Sequence, residues 1–194
     1  MQAMSEPDVT YEYKPALMGA PWQFQLRRDA MDWSVGRHSG RVPYDAIARV
    51  RLSFRPLSMQ TYRFLAEIWP VEGPKLTIAS TSWRNIAGHE RQDAGYVAFV
   101  RELHRRIAEA GGRGTFISGS PPFLYWPGVA IFGAASLALA VLIIRALQAE
   151  GWGGAAIVLA FLLLLAWQVG GFFRRNRPGR YRPDALPPDL LPRG

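Results

Sequence analysis

The sequence predicts an α+β chain: a small bent sheet or barrel closed by one terminal helix, followed by a two-helix transmembrane hairpin. Three patterns carry this. Between Trp22 and about Trp83, apolar residues recur at every second position, the period of half-buried strands. From Asp93 the period changes to that of an amphipathic helix. Two apolar runs follow, Phe123–Ile144 and Gly153–Phe173, eight residues apart and free of Asp, Glu, Lys, Arg and His. About 20 helical residues cover the ~30 Å hydrocarbon core of a bilayer, so each run is long enough to cross one.

Taken in order, residues 1–20 read as an N-terminal arm with early acids and no apolar stretch of a signal peptide. A folded domain is expected over 21–111. Trp22, Phe24 and Leu26 form one apolar face, and Met31, Trp33 and Val35 another. Val50, Leu52 and Phe54 alternate with Arg49, Arg51, Ser53 and Arg55. Tyr62, Phe64, Ala66 and Ile68 alternate with Arg63, Leu65, Glu67 and Trp69, and Leu76 and Ile78 continue the pattern. Gly36–Gly40 and Val71–Lys75 supply turn residues, and Pro43 predicts an edge position or a bend. Tyr96, Val100, Leu103 and Ile107 mark the buried face of the helix, with Asp93 as the expected N-cap and Gly111 and Gly112 as the stop. A linker is expected over 112–122, spans over 123–144 and 153–173, and an extracytoplasmic loop over 145–152. A basic, proline-rich tail over 174–194 is expected to be extended or disordered beyond Arg182.

The run Val35-Gly-Arg-His-Ser-Gly-Arg-Val-Pro-Tyr-Asp-Ala-Ile-Ala-Arg-Val50 resembles bacterial pleckstrin-homology-like domains, in which a strand and a glycine turn lead to a Pro-Tyr-x-x-Ile-x-x-Val element. The resemblance covers about residues 20–110. It implies a seven-stranded barrel capped by a helix, next to membrane spans. It carries over no catalytic residue.

Charge sets the expected topology. The formal net charge is +8, and residues 174–194 hold six Arg against two Asp. Arg101, Arg105, Arg106 and Arg113 precede the first run. Arg174, Arg175, Arg177, Arg180 and Arg182 follow the second, where they are expected to lie on the membrane surface. The connecting loop holds only Arg145 and Glu150. Both termini are therefore expected on the cytoplasmic side of a bacterial inner membrane. The same rule explains the basic tail without nucleic acid, which is not expected as a partner. Small residues at four-residue spacing (Ala130, Ala134 and Ala138; Ala156 and Ala160; Ala166 and Gly170) read as the surface on which the hairpin packs on itself, with a homodimer face as the alternative.

Reactive chemistry is sparse. There is no cysteine, and His38, His89 and His104 lack metal-ligand spacing. Gly111–Gly114 lacks the Lys-Ser/Thr of a phosphate loop. His89, Glu90 and Asp93 read as polar surface, and Asp29 and Asp32 as solvated turn residues. No cofactor, metal or catalytic residue is expected. The binding candidate is the stripe Arg49, Arg51 and Arg55, which Arg63 would extend from the next strand and whose guanidinium forks suit phosphate oxygens, with solvated charge or pairing to Glu67 as the plainer reading. These features lead to the expectation of a non-enzymatic interaction or scaffolding module held against the bilayer, with a protein partner or self-association through the hairpin. Binding of anionic lipid or a phosphate ligand is one alternative. An accessory subunit of a transporter or enzyme complex is another.

Overall fold

The computed structural model describes residues 8–58, 61–85, 88–149 and 152–192. The start of the expected N-terminal arm, Glu150 of the expected loop and the last two residues of the tail lie outside them. The chain forms two compact units. One runs to Ser118 and resumes at Gly179; the other is Gly119–Pro178.

The first unit is α+β. Strands β1 (Val9–Tyr13), β2 (Trp22–Leu26), β3 (Ala30–Val35) and β4 (His38–Pro43) form an antiparallel meander in chain order. β1 falls within the stretch read as an arm. Its Val9, Tyr11 and Tyr13 alternate with Thr10 and Glu12, and pairing with β2 buries both tyrosines. The β3–β4 turn is tighter than the glycine spacing suggests. Val35 pairs with His38, which leaves only Gly36 and Arg37 in the turn, and Gly36 takes φ +63°, a conformation that disfavours any side chain. Pro43 ends β4 on the sheet edge, where no ladder donor is needed.

Gly40 serves a packing purpose. It pairs with Trp33, and a Cβ there would lie 2.7 Å from Trp33 Cζ2. Gly40→Ala is expected to destabilise the unit by about 1–3 kcal/mol, because the ring is buried and cannot step aside. Thermal unfolding of the purified variant checks this. An unchanged midpoint would mean that the ring has room to move.

A short 3-10 turn, Tyr44–Ala46, leads into β5 (Ile47–Phe54), which is followed by β6 (Phe64–Pro70) and β7 (Leu76–Ala79). These pair antiparallel, with a register shift between Ile47 and Arg49. A hairpin of β8 (Thr81–Asn85) and β9 (Gly88–Arg91) follows, then α1 (Asp93–Glu109). The helix buries Tyr96, Phe99, Val100, Leu103, His104, Arg106 and Ile107. Tyr11 meets Tyr96 and Phe99 at ring separations of 6.3 and 5.6 Å, so β1 and α1 share one core with Phe24, Leu52, Ile68 and Ile78. Each such fully buried side chain contributes about 1.5–3 kcal/mol. Asp93 is not the N-cap. Gln92 occupies that place without a side-chain cap bond, and Asp93, the first helical residue, pairs with Arg91 instead.

Two expectations about the flanks are corrected. Residues 112–122 are not simply a linker: Thr115–Ser118 form β10, parallel to β5, with Phe116 buried. Gly114 permits this approach, since a Cβ there would lie 2.6 Å from the Ile47 carbonyl oxygen. The tail is not loose either. Gly179–Arg180 (β11) extend the second sheet to the order β11-β10-β5-β6-β7, and a 3-10 turn at Pro188–Leu190 packs near β5. Leu190 and Leu191 are buried. The open edge of β10 and the apolar leucines explain the docking: both are satisfied by this chain itself.

The second unit is a helical hairpin, α2 (Pro122–Gln148) and α3 (Trp152–Arg175). Both helices are long and apolar enough to cross a membrane, with mean hydropathies of 2.3 and 2.2. The two helices pack on each other, and Val129, Phe132, Ser136, Leu139 and Ile143 on α2 and Ala155, Val158, Leu162, Leu165 and Val169 on α3 are among the less exposed positions, in alternating steps of three and four. This corrects the reading of the small-residue stripes. Ala130, Ala134, Ala138, Ala156, Ala160 and Ala166 are exposed, and only Gly170 is half-buried. Tyr125 closes one end of the hairpin against Phe173, at a ring separation of 5.6 Å, and Ser120 N–H donates to the Asn176 carbonyl at 2.9 Å.

Candidate functional site

Arg49 and Arg51 alternate with Val50 and Leu52 in β5, while Arg55 follows the strand's last residue, and the three do different things. Arg51 donates from Nη2 to Glu67 Oε2 at 2.6 Å across the β5–β6 pair. Lys75 Nζ reaches Glu67 Oε1 at 2.7 Å. Burial raises the Glu67 carboxyl pKa, but hydrogen bonds from Lys75 and Arg51 outweigh it and hold the group below its ordinary value. Arg49, Arg51 and Lys75 gather at the Trp69 ring, at 5.8, 5.1 and 5.4 Å from its centroid. Arg51 is therefore committed to a carboxylate, and Arg49 is exposed beside an aromatic ring.

Arg55 belongs with a different group. Its backbone N–H donates to the Arg63 carbonyl at 2.8 Å. Arg63 is half-buried, its Nε is fully buried without a hydrogen-bond partner, and no carboxylate pairs with it among the described residues. Burial lowers the pKa of its guanidinium, the Arg55 charge lowers it further, and Tyr13 opposes them. Arg63 lines a cavity of about 230 Å³ together with Tyr13, Lys14, Trp22, Trp83 and His89. The cavity is built by register. Trp83 pairs with His89 across β8–β9, their rings 4.0 Å apart, while the Trp83 N–H donates to the Lys14 carbonyl at 3.0 Å. The Tyr13 hydroxyl donates to the Thr77 carbonyl at 2.6 Å, which fixes the end of β1 over β7. Desolvation and then the Arg63 charge hold His89 below the usual histidine range, so it is neutral near pH 7.

The remaining sequence candidates scatter. Arg174 and Arg175 end α3, Arg177 is exposed in the hairpin unit, Arg180 pairs with Ile117 in the second sheet, and Arg182 lies 3.6 Å from Asp184. The five are thus divided between the two units. Asp29 pairs with Arg41 at 2.7 Å, and Asp32 with Arg27 at 3.1 Å, as exposed links across β2–β4 worth little individually. His38 begins β4 and is exposed. Among the described residues, no group of three His, Cys, Asp or Glu side chains is placed to hold a metal ion. Sequence reasoning missed the Arg63 cavity because its lining comes from six strands and two connecting segments. The available signal was Arg63 itself, a charge between two aromatic residues just before a strand buried on both faces.

No protein-family model matches the chain, and no match is found among curated proteins or solved structures.

Proposed function

We propose that this chain is a membrane-anchored, non-enzymatic interaction module: a pleckstrin-homology-like domain held at the cytoplasmic face of a bacterial inner membrane. The observation that carries the reading is the chain order. One α+β unit is interrupted by a hairpin of two apolar helices, and the chain then returns to complete that unit's sheet. The meander β1–β4, the antiparallel run β5–β7 and the helix α1 after them support the pleckstrin-homology-like comparison. The arginines flanking both helices support cytoplasmic termini. The exposed alanine faces of the hairpin are available to lipid or to a second copy.

Mild detergent extraction followed by light scattering tests the module. The expected result is a defined complex, either an oligomer of this chain or an assembly with one stoichiometric partner. Repeated recovery of a lone monomer argues against the reading. For topology, a fluorescent reporter fused after Gly194 is expected to be active and an alkaline phosphatase fusion inactive; the opposite pattern reverses the orientation.

A further inference from the structure

We propose that the cavity around Arg63 binds the oxyanion of a small molecule or headgroup that also carries a flat or apolar part. Two cationic side chains, Lys14 and Arg63, line it beside the neutral His89, and among the described residues no Asp or Glu does. Most buried arginines are matched by a carboxylate, as Arg51 and Arg106 are here. Arg63, which lines the cavity, has no carboxylate partner among the described residues. The charge of this half-buried side chain is thus unmatched by a protein carboxylate, and an oxyanion in the cavity supplies the missing partner. The guanidinium fork matches two oxygens of a phosphate or carboxylate.

The rest of the lining defines the other end of the ligand. Trp22, Trp83 and Tyr13 supply aromatic surface, and Thr77 and Thr81 complete the strand side. Trp83 is held by its own backbone bond and by the His89 ring, so this wall is preformed. The volume is below the ~300–1,000 Å³ of drug-sized pockets, so the occupant is about the size of one aromatic ring with one anionic group. The site belongs to the folded unit alone and stands whether or not the hairpin recruits a partner.

Two carriers share this chemistry: a free phosphate monoester and a lipid phosphate headgroup. The test uses the full chain in phosphatidylcholine nanodiscs, titrated calorimetrically with phenyl phosphate and, as a neutral control, phenol. Wild type is expected to bind phenyl phosphate saturably and phenol far more weakly. Arg63→Met is expected to weaken phenyl phosphate at least about tenfold, the scale of a lost charge-assisted hydrogen bond, and Arg63→Lys to fall between. The ligand-free Arg63→Met protein is expected to melt no lower than wild type, because the substitution removes an unmatched charge. Absence of saturable binding, equal binding by Arg63→Met, equal binding of phenol, or a lowered melting point for Arg63→Met would each overturn the proposal. Discs containing phosphatidic acid, matched in charge to phosphatidylglycerol discs, tell the carriers apart. Weaker apparent phenyl phosphate binding in the phosphatidic acid discs alone supports the site with a lipid occupant. Equal binding in the two supports it with a soluble one.

Discussion

Glu67→Ala is expected to destabilise the folded unit by about 3–5 kcal/mol, the scale of breaking one side of a buried ion pair. The carboxylate side chain is only 3% exposed and is shared by Arg51 and Lys75. Removing it leaves the Arg51 guanidinium, itself 13% exposed, without its partner. Lys75 is 44% exposed and can turn to water, so the loss falls mainly on Arg51. The double variant Glu67→Met, Arg51→Met should regain most of the stability, since apolar groups of similar volume need no partner. Chemical denaturation of the two single variants and the double variant measures the coupling. A Glu67→Ala loss below about 1 kcal/mol would mean that water reaches Arg51 freely. The pH dependence has a definite sign. The folded carboxyl lies below its unfolded value, so its contribution is present above the ordinary glutamate range and is lost as pH falls through the folded value.

Acid is expected to loosen the same unit earlier, through His104. This imidazole is buried against Phe116 and Tyr181. Nδ1 lies 2.7 Å from the Val100 carbonyl oxygen, which can only accept, so Nδ1 carries the proton. Nε2, 2.8 Å from the Tyr181 hydroxyl, then accepts from it. Desolvation pushes the His104 pKa down to about 4, against the hydrogen bond to Val100, which raises it. In the unfolded chain the group takes up its proton near pH 6.5. Between those values the unfolded state binds more protons, so stability falls as pH falls. The full contribution is present above about 6.5 and is lost by about pH 4, to a total of about 3 kcal/mol. His104→Gln removes this titration while leaving every carboxylate in place. Melting curves of the two proteins from pH 7 to pH 4 should therefore converge as the pH falls. Parallel curves would show that His104 does not titrate in this window. Tyr181→Phe, which leaves Nε2 a buried acceptor without a donor, should cost about 1–3 kcal/mol at neutral pH.

Much of the fold is legible because it is written in local periodicity. β2, β3, β5 and β6 follow the alternation of large apolar residues, and α1 buries the face that its three-four spacing marks. The hairpin helices follow from length and the absence of charge. The features that were not legible depend on distant pairing. β10 is only four residues in a Gly-rich stretch, and it is a strand because β5 offers it an edge. Leu190 and Leu191 look like a loose proline-flanked end until the sheet that covers them exists. Arg49 and Arg51 do alternate with Val50 and Leu52 in β5, but Arg55 lies beyond its end. The meeting of Arg51 with Glu67 and of Arg49 with Trp69 needed the register of β5 on β6. The cavity combines Lys14, Arg63 and His89, residues far apart in the chain whose spacing matches no motif.

The return of the chain at Gly179 imposes an order of events during synthesis. Ile117 pairs with Arg180 and Ser118 with Gly179, so the outermost strand of the sheet is made of residues that follow both apolar helices. A ribosome finishes the hairpin before it delivers this strand, Tyr181 and the two buried leucines. Until then β10 has a bare edge and His104 lacks its hydroxyl partner. The α+β unit thus reaches its final form only once the membrane segments have left the ribosome. A chain released early, or stalled within the hairpin, carries an unfinished sheet with an exposed edge.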